Sequence, residues 1–295
     1  MKVFVTDAGT SFAQALLPAL CRSEAVEAVT GGSTQPLPFE DPKFQRINLE
    51  RGDAVPAEIL RGHDALVHLA SRASLSSSSP ADSIDASVRP IHKLFQEAHA
   101  AGVQRLVHLS SAAVYGPAVH ANEQSPLRPL AGFAYAERQA HLERLLEIDF
   151  PHCVRLRPHL VVGPHAHPAV RRLLRQPFYP KLGQPQPLFQ CVHEDDLANA
   201  VLLSLHAEAR GAYNIASEDS FTLRDAIRTR RGFSFGVSID TAGALVRFGA
   251  RYFVHEIDRS WIERAAHTVL INCRRAIAEL GWHSLYTARQ AIAAT

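Results

Sequence analysis

The chain has 295 residues, 46% of them hydrophobic and 20% charged, with a formal net charge of +2. That balance describes an ordinary globular protein with ample core, as one large domain or two unequal ones. The basic residues are spread out, with no run that would form an electrostatic stripe, and no apolar run reaches membrane-spanning length, so neither a nucleic-acid nor a membrane partner is expected. Cys21, Cys153, Cys191 and Cys273 stand apart, without a CxxC pair or metal-like spacing, and Lys2 is followed at once by a short strand rather than by a leader; a reduced, cytoplasmic protein is expected.

The opening stretch MKVFVTDAGTSFAQALLPAL reads as a strand (Val3–Thr6), a tight turn and a helix (Ser11–Cys21), which is how a dinucleotide-binding site begins. Such a turn normally carries three glycines at fixed spacing, and this one has only Gly9. Further strands are expected at Ala28–Thr30, Ala65–Ala70, Leu106–Ser110 and Cys153–Arg157, with helical patterns at Val88–Ala101 and Ala134–Glu147 between them. Strands of continuous apolar character alternating with helices imply an α/β fold: a Rossmann-like, doubly wound parallel sheet covered on both faces, with right-handed crossovers. Gly102 stops one helix just before a strand. The Ser-rich run Ser71–Ser83 reads as a loop at the carboxyl edge of the sheet, where ligands bind in open parallel sheets.

After Gly163-Pro164 the pattern becomes irregular and rich in Pro, Arg and His. CVHEDDLANAVLLSL then gives a strand and an amphipathic helix, GAYNIAS a last short strand, and the chain from Ser217 onward reads as mainly helical. The expected organisation is a dinucleotide-binding domain over 1–165, to which 191–216 returns. Residues 166–190 and 217–295 are expected to form a smaller, mainly helical substrate-side domain.

Seven stretches fall in a telling order: VTDAGTSFAQALLPAL, GHDALVHLA, RLVHLSSAAVYG, YAERQAHLE, RLRPHLVVGP, VHEDD and AIAELGW. Together they resemble the extended short-chain dehydrogenase/reductase family, the NAD-dependent epimerase/dehydratases, over nearly the whole chain. The resemblance implies NAD or NADP as cofactor and a small hydroxyl or carbonyl compound as substrate. It also implies a homodimer through the helices beside Tyr135. Its cofactor residues map onto Thr6, Asp7, Gly9, Thr10, Ser11 and Phe12 of the turn, Ser33 after the second strand, and Leu69, Ala70 and Ser71 at the end of the next. Its catalytic set maps onto Ser111, which orients the reacting oxygen, Tyr135, the acid/base, and position 139, one helical turn on.

Against that pattern the sequence departs at defined points. The family's glycines fall at Asp7, Thr10 and Ala13; Asp7 sets a carboxylate and Thr10 a branched side chain where a pyrophosphate meets backbone. The helix N-terminus still offers free N–H groups and a positive dipole end. Neither an acidic nor a basic residue ends AVTGGSTQP, and Ser33 and Thr34 can serve a ribose or a 2′-phosphate, so NAD and NADP stay open. Position 139 is Gln where the family has Lys, so the ammonium that lowers the Tyr pKa is absent; of Lys2, Lys43, Lys93 and Lys181, only Lys93 lies on a suitable helix. Ser87 stands where the family often has Asn, and Leu160 and Val161 where sugar-nucleotide epimerases carry Asn. Arg171, Arg172 and Arg175 suit either a phosphate or a solvated helix face. Sixteen histidines include the pair His165 and His167, but no acidic or Cys partner stands at ligand spacing, so no metal is expected. His193-Glu194-Asp195-Asp196 matches a family segment that caps a helix and braces the sheet.

Besides Tyr135-dependent chemistry without net redox, such as elimination or isomerisation, two readings remain. One is a nicotinamide-dependent oxidoreductase or epimerase/dehydratase-like enzyme with Ser111, Tyr135 and Gln139 in its site. The other is a non-catalytic dinucleotide-sensing or interaction module on the same fold, motivated by the joint change of the glycines, the ribose acid and the Lys.

Overall fold

The computed structural model of the chain describes residues 1–34, 37–49, 55–69, 84–181, 185–206, 208–238, 241 and 266–295. The first half runs β1 (Lys2–Val5), α1 (Ala13–Arg22), β2 (Ala28–Ser33), β3 (Phe44–Asn48), α2 (Ala57–Leu60), β4 (Ala65–His68), α3 (Ile84–Ala100) and β5 (Arg105–Leu109). A 3-10 turn (Ala112–Tyr115), β6 (Ala118–Ala121), α4 (Ala134–Asp149) and β7 (Val154–Pro158) follow. Next come β8 (Leu160–Val162), α5 (Pro168–Arg175), β9 (Phe178–Pro180), β10 (Cys191–His193), α6 (Glu194–Ser204) and β11 (Gly211–Ile215). The last described elements are α7 (Leu223–Arg231), β12 (Phe235–Val237), β13 (Val269–Ile271), α8 (Arg274–Leu280) and α9 (Ala288–Ala293).

Seven strands form one parallel sheet in the order β11-β7-β5-β4-β1-β2-β3. The reversal of winding on either side of β1 and β4 makes it doubly wound, with a crevice at its carboxyl edge. Alternate residues of each strand feed two cores. Val3, Val5, Val29, Val67 and Val107 pack with Leu16, Leu17 and Leu20 of α1 and with Leu197 and Val201 of α6. On the other face, Phe4, Leu66 and Leu106 pack with Val88, Leu94 and Phe95 of α3 and with Leu142 and Leu146 of α4. Burial on both faces is why these strands read as unbroken apolar runs.

All five expected strands of the sheet start within a residue of their observed positions, and α4 starts at Ala134 as expected. The difference is β3. FQRIN carries polar residues and is only partly buried, because it is the edge strand of the sheet. β12 and β13 add short strands, paired with β9 and β6, to the segment expected to be helical. The Ser-rich run 71–83 lies outside the described residues.

Candidate active site

The turn after β1 is closed by Ala8 N–H donating to Gly32 O at 3.0 Å and Thr10 N–H donating to Asp7 O at 2.9 Å. Asp7 sits at φ +50°, the left-handed region that a glycine would take without strain. Burial pushes its carboxyl up to about 6, the response of an acid that finds little compensation for lost water. A Cβ at Gly9 would lie 2.9 Å from Ser33 Oγ, so the Ser33 hydroxyl would have to turn aside to admit one. Ser33 is buried against the turn, and Phe12, the N-cap of α1, gives its first turn no side-chain cap. The Thr10 hydroxyl is buried without a hydrogen-bond partner among the described residues. Thr6 Oγ1 accepts from Leu69 N–H at 3.3 Å and pairs with His68 Nδ1 at 2.8 Å. The structure thus brings Thr6, Asp7, Gly9, Thr10, Ser11, Phe12, Ser33 and Leu69 to one stretch of the sheet edge, while Ala70 and Ser71 lie outside the described residues.

Two strands away, Ser111 caps the 3-10 turn, its Oγ accepting from Ala113 N–H at 3.2 Å. Tyr135 lies in the first turn of α4, half-buried beside Phe133, with ring centroids 5.8 Å apart. Ala113 of the Ser111 turn packs with Phe133, Ala136 and Tyr135 in one small cluster. Gln139 is one turn further on and buried, and its Oε1 meets His108 Nε2 at 2.9 Å. Its amide is directed into the layer between α4 and the sheet. Lys93 is exposed on α3, and Ser87 donates to Ile84 O within its own helix at 2.7 Å.

Beneath these residues lies a polar layer that the sequence did not announce. Strand register sets His68, His108 and Arg155 side by side on β4, β5 and β7, facing α3 and α4. The two imidazoles stack, with centroids 5.3 Å apart at 14°. Burial drives both below the ordinary range, His108 to about 4, so both rings are neutral at pH 7. Glu143 of α4 is 1% exposed and meets Arg157 of β7 through Nε at 3.0 Å to each oxygen and Nη2 at 2.5 Å. Burial alone would raise the Glu143 pKa, but the charge and hydrogen bonds of Arg157, with a further bond from Ser110, hold it low. Arg157 Nη1 donates to Tyr115 Oη at 2.6 Å, and Tyr115 donates to Asn214 Oδ1 at 2.7 Å. A usable signal was present: Glu143 lies two turns after Tyr135, and Arg155 and Arg157 alternate along one strand.

The histidines of the Pro-rich segment have structural partners. His165 meets Glu194 through its backbone N–H and Nδ1, and His167 Nδ1 caps α5. His193 caps α6, while Asp196 accepts from the backbone of Leu285 and Tyr286. Among the described residues, no group of three His, Cys, Asp or Glu is arranged to hold a metal, and no helix is long and apolar enough to cross a membrane.

The solved structures similar to this one share its architecture end to end. MoeE5 in complex with UDP-glucuronic acid and NAD is 21% identical, covering 100% of this chain and 97% of its own, with a TM-score of 0.76. The UDP-glucuronic acid 4-epimerase of Bacillus cereus, in complex with UDP-glucuronic acid and NAD, is 18% identical over 100% and 97%, with a TM-score of 0.75. DesIV, a dTDP-glucose 4,6-dehydratase from Streptomyces venezuelae with NAD bound, is 23% identical over 99% and 95%, with a TM-score of 0.72. At these identities the likeness is one of fold. Among curated proteins no sequence matches the chain. The sequence profile of the NAD dependent epimerase/dehydratase family matches residues 9–216. With six of the seven sheet strands and the Ser111 and Tyr135 segments inside that span, the chain belongs to the NAD-dependent epimerase/dehydratase family.

Proposed function

We propose that the chain is a nicotinamide-dinucleotide enzyme that acts on a hydroxyl or carbonyl carbon of a nucleotide sugar. The observation that carries this is the packing of the Ser111 turn against the first turn of α4, with Tyr135 in the contact, at the carboxyl edge of the sheet. The nucleotide-sugar class draws on the similar structures that hold UDP-glucuronic acid, while Leu160 and Val161, standing where sugar-nucleotide epimerases carry Asn, count against it.

The turn suits a pyrophosphate in three respects. Its backbone already takes the left-handed conformation at residue 7, Gly9 carries no side chain, and the Thr10 hydroxyl is buried without a partner among the described residues. Asp7 opposes an anion when ionised, and its raised pKa makes the neutral form accessible near pH 6. Residues of the turn, with the N-terminus of α1, would hold the phosphates, and Ser33 and Leu69 would border the adenosine. The bound nicotinamide supplies hydride transfer. Tyr135 exchanges a proton at its Oη with the substrate oxygen, and Ser111 Oγ orients that oxygen. Gln139 brings no charge, so it does not give a Tyr acid/base the electrostatic help that an ammonium supplies.

Thermal-shift titration with NAD, NADP and their reduced forms tests the reading. At millimolar ligand the native protein should melt at higher temperature, and an Asp7→Gly/Thr10→Gly variant should respond at lower concentration. No shift in either protein with any of the four would end the proposal. If the native protein binds, Gln139→Lys tests whether turnover is limited by the missing cation.

A non-catalytic, dinucleotide-sensing role is the second reading, favoured by the engagement of Gln139 with His108. It requires Ser111→Ala/Tyr135→Phe to retain full biological activity, and a loss there argues for catalysis.

A further inference from the structure

The segment that carries Ser111 is gripped at both ends. At one end Ser110 Oγ donates to Glu143 Oε1; at the other, Tyr115 Oη accepts from Arg157 Nη1 at 2.6 Å, with the guanidinium carbon also 5.1 Å from the Tyr115 ring centroid. Both grips end on the same ion pair, because Glu143 and Arg157 bind each other through three contacts of 2.5–3.0 Å. Glu143 belongs to the helix that begins with Tyr135, and Arg157 to the strand next to the one that leads into Ser110. The pair therefore ties three things together: the Ser111 turn, the Tyr135 helix and β7.

The tie extends further. Tyr115 donates to Asn214 Oδ1, and Asn214 Nδ2 donates to the carbonyls of Ala121 and Asn272 at 3.1 Å each. Arg157 Nη1 also reaches Glu123 O at 3.3 Å, and Glu123 Oε1 accepts from Asn214 N–H at 2.8 Å. The segments around β6 and β13 thereby join the same network.

We propose that Glu143 and Arg157 are the positioning residues of this site, one buried ion pair that fixes Ser111 and Tyr135 relative to each other. What the two positioned residues do rests on the proposed function; that they are positioned by this pair does not. A buried ion pair adds little net stability over well-packed apolar residues of similar volume, so a neutral replacement of both partners can fold while losing the tie. Removing one partner alone strands the other as a buried bare charge, which confuses misfolding with mispositioning. The double substitution avoids that confusion for the pair itself, and Arg155, whose Nε lies 3.5 Å from Glu143 Oε2, keeps Glu147 through Nη2 at 3.2 Å.

The test uses the full chain with tyrosine labelled with carbon-13 in the ring, the Tyr135 resonance being assigned by Tyr135→Phe. In Glu143→Leu/Arg157→Met, with a cooperative melt and native circular dichroism, the Tyr135 resonance should shift or split. The resonances of Tyr179 and Tyr286, which do not touch the pair, should stay in place. Ser110→Ala, which releases only one grip, should give a smaller displacement in the same direction. A Tyr135 resonance unmoved in the folded double variant would overturn the proposal.

Turnover gives a second, separable readout. Where the native protein is active, the double variant should lose roughly 10–100-fold in kcat with KM for the dinucleotide within about twofold, since misplacement on the order of 1 Å costs about that much. Failure of the native protein to bind any nicotinamide dinucleotide would remove the proposed function and leave the resonance test intact.

Discussion

At the scale of single residues, Asp7 and Gln139 carry most of the chemical interest. Asp7 combines a left-handed backbone with a carboxyl whose pKa burial raises from 3.8 to about 6. The folded chain thus holds its proton over a range where the unfolded chain has released it, so stability is lost as pH rises through that range. Asp7→Asn keeps a side chain that tolerates the left-handed region and removes the charge. Its melting temperature should exceed that of the native protein at pH 7–8 and converge on it below pH 4. Asp7→Gly should add the relief of backbone strain at every pH, and melting curves across pH separate the two effects. The identity of both residues was plain in the sequence. Where their side chains go was not: Gln139 stands where the family has its Lys, yet its amide meets an imidazole contributed by a strand 31 residues earlier.

At the scale of elements, the 3-10 turn after β5 depends on how it ends. Gly116 has φ +67°, and a Cβ there would lie 2.2 Å from the carbonyl oxygen of Arg128. That neighbour is backbone and cannot rotate away. Gly116→Ala should therefore cost at least about 1–3 kcal/mol, read as a lower urea midpoint at unchanged slope. Because Tyr115 is its neighbour, the substitution should also disturb the Tyr115–Arg157 contact. Elements buried on both faces were legible because their apolar runs are continuous. β3 was not, since an edge strand needs a buried face on only part of its length and its polar residues mask it. The layer of His68, His108, Arg155, Glu143 and Arg157 was legible only in fragments, for a different reason. Arg155 and Arg157 share β7 while the others stand one to an element, and only strand register and helix placement reveal the five as one set.

At the scale of the molecule, that layer sets how the fold answers acid. His68 and His108 are neutral and fully inside, with His108 taking up a proton only near pH 4, while an unfolded imidazole does so near pH 6.5. The unfolded state therefore gains protons first, and stability present above pH 6.5 drains away as pH falls toward 4. The urea midpoint should decline across that interval, and His108→Asn should make the decline shallower; an equally steep decline in the variant would rule out the assignment. The sheet itself has a temporal consequence. β7 waits for β11, and the final pairs of that ladder, Arg157 with Asn214 and Pro158 with Ile215, join residues made far apart. At about 5–20 residues per second, the free edge of β7 stands open for roughly 3–10 seconds of synthesis. For that interval the nascent chain offers a bare row of peptide groups to any passing strand. How cleanly it is made in a cell should depend on what shields that edge until Asn214 emerges.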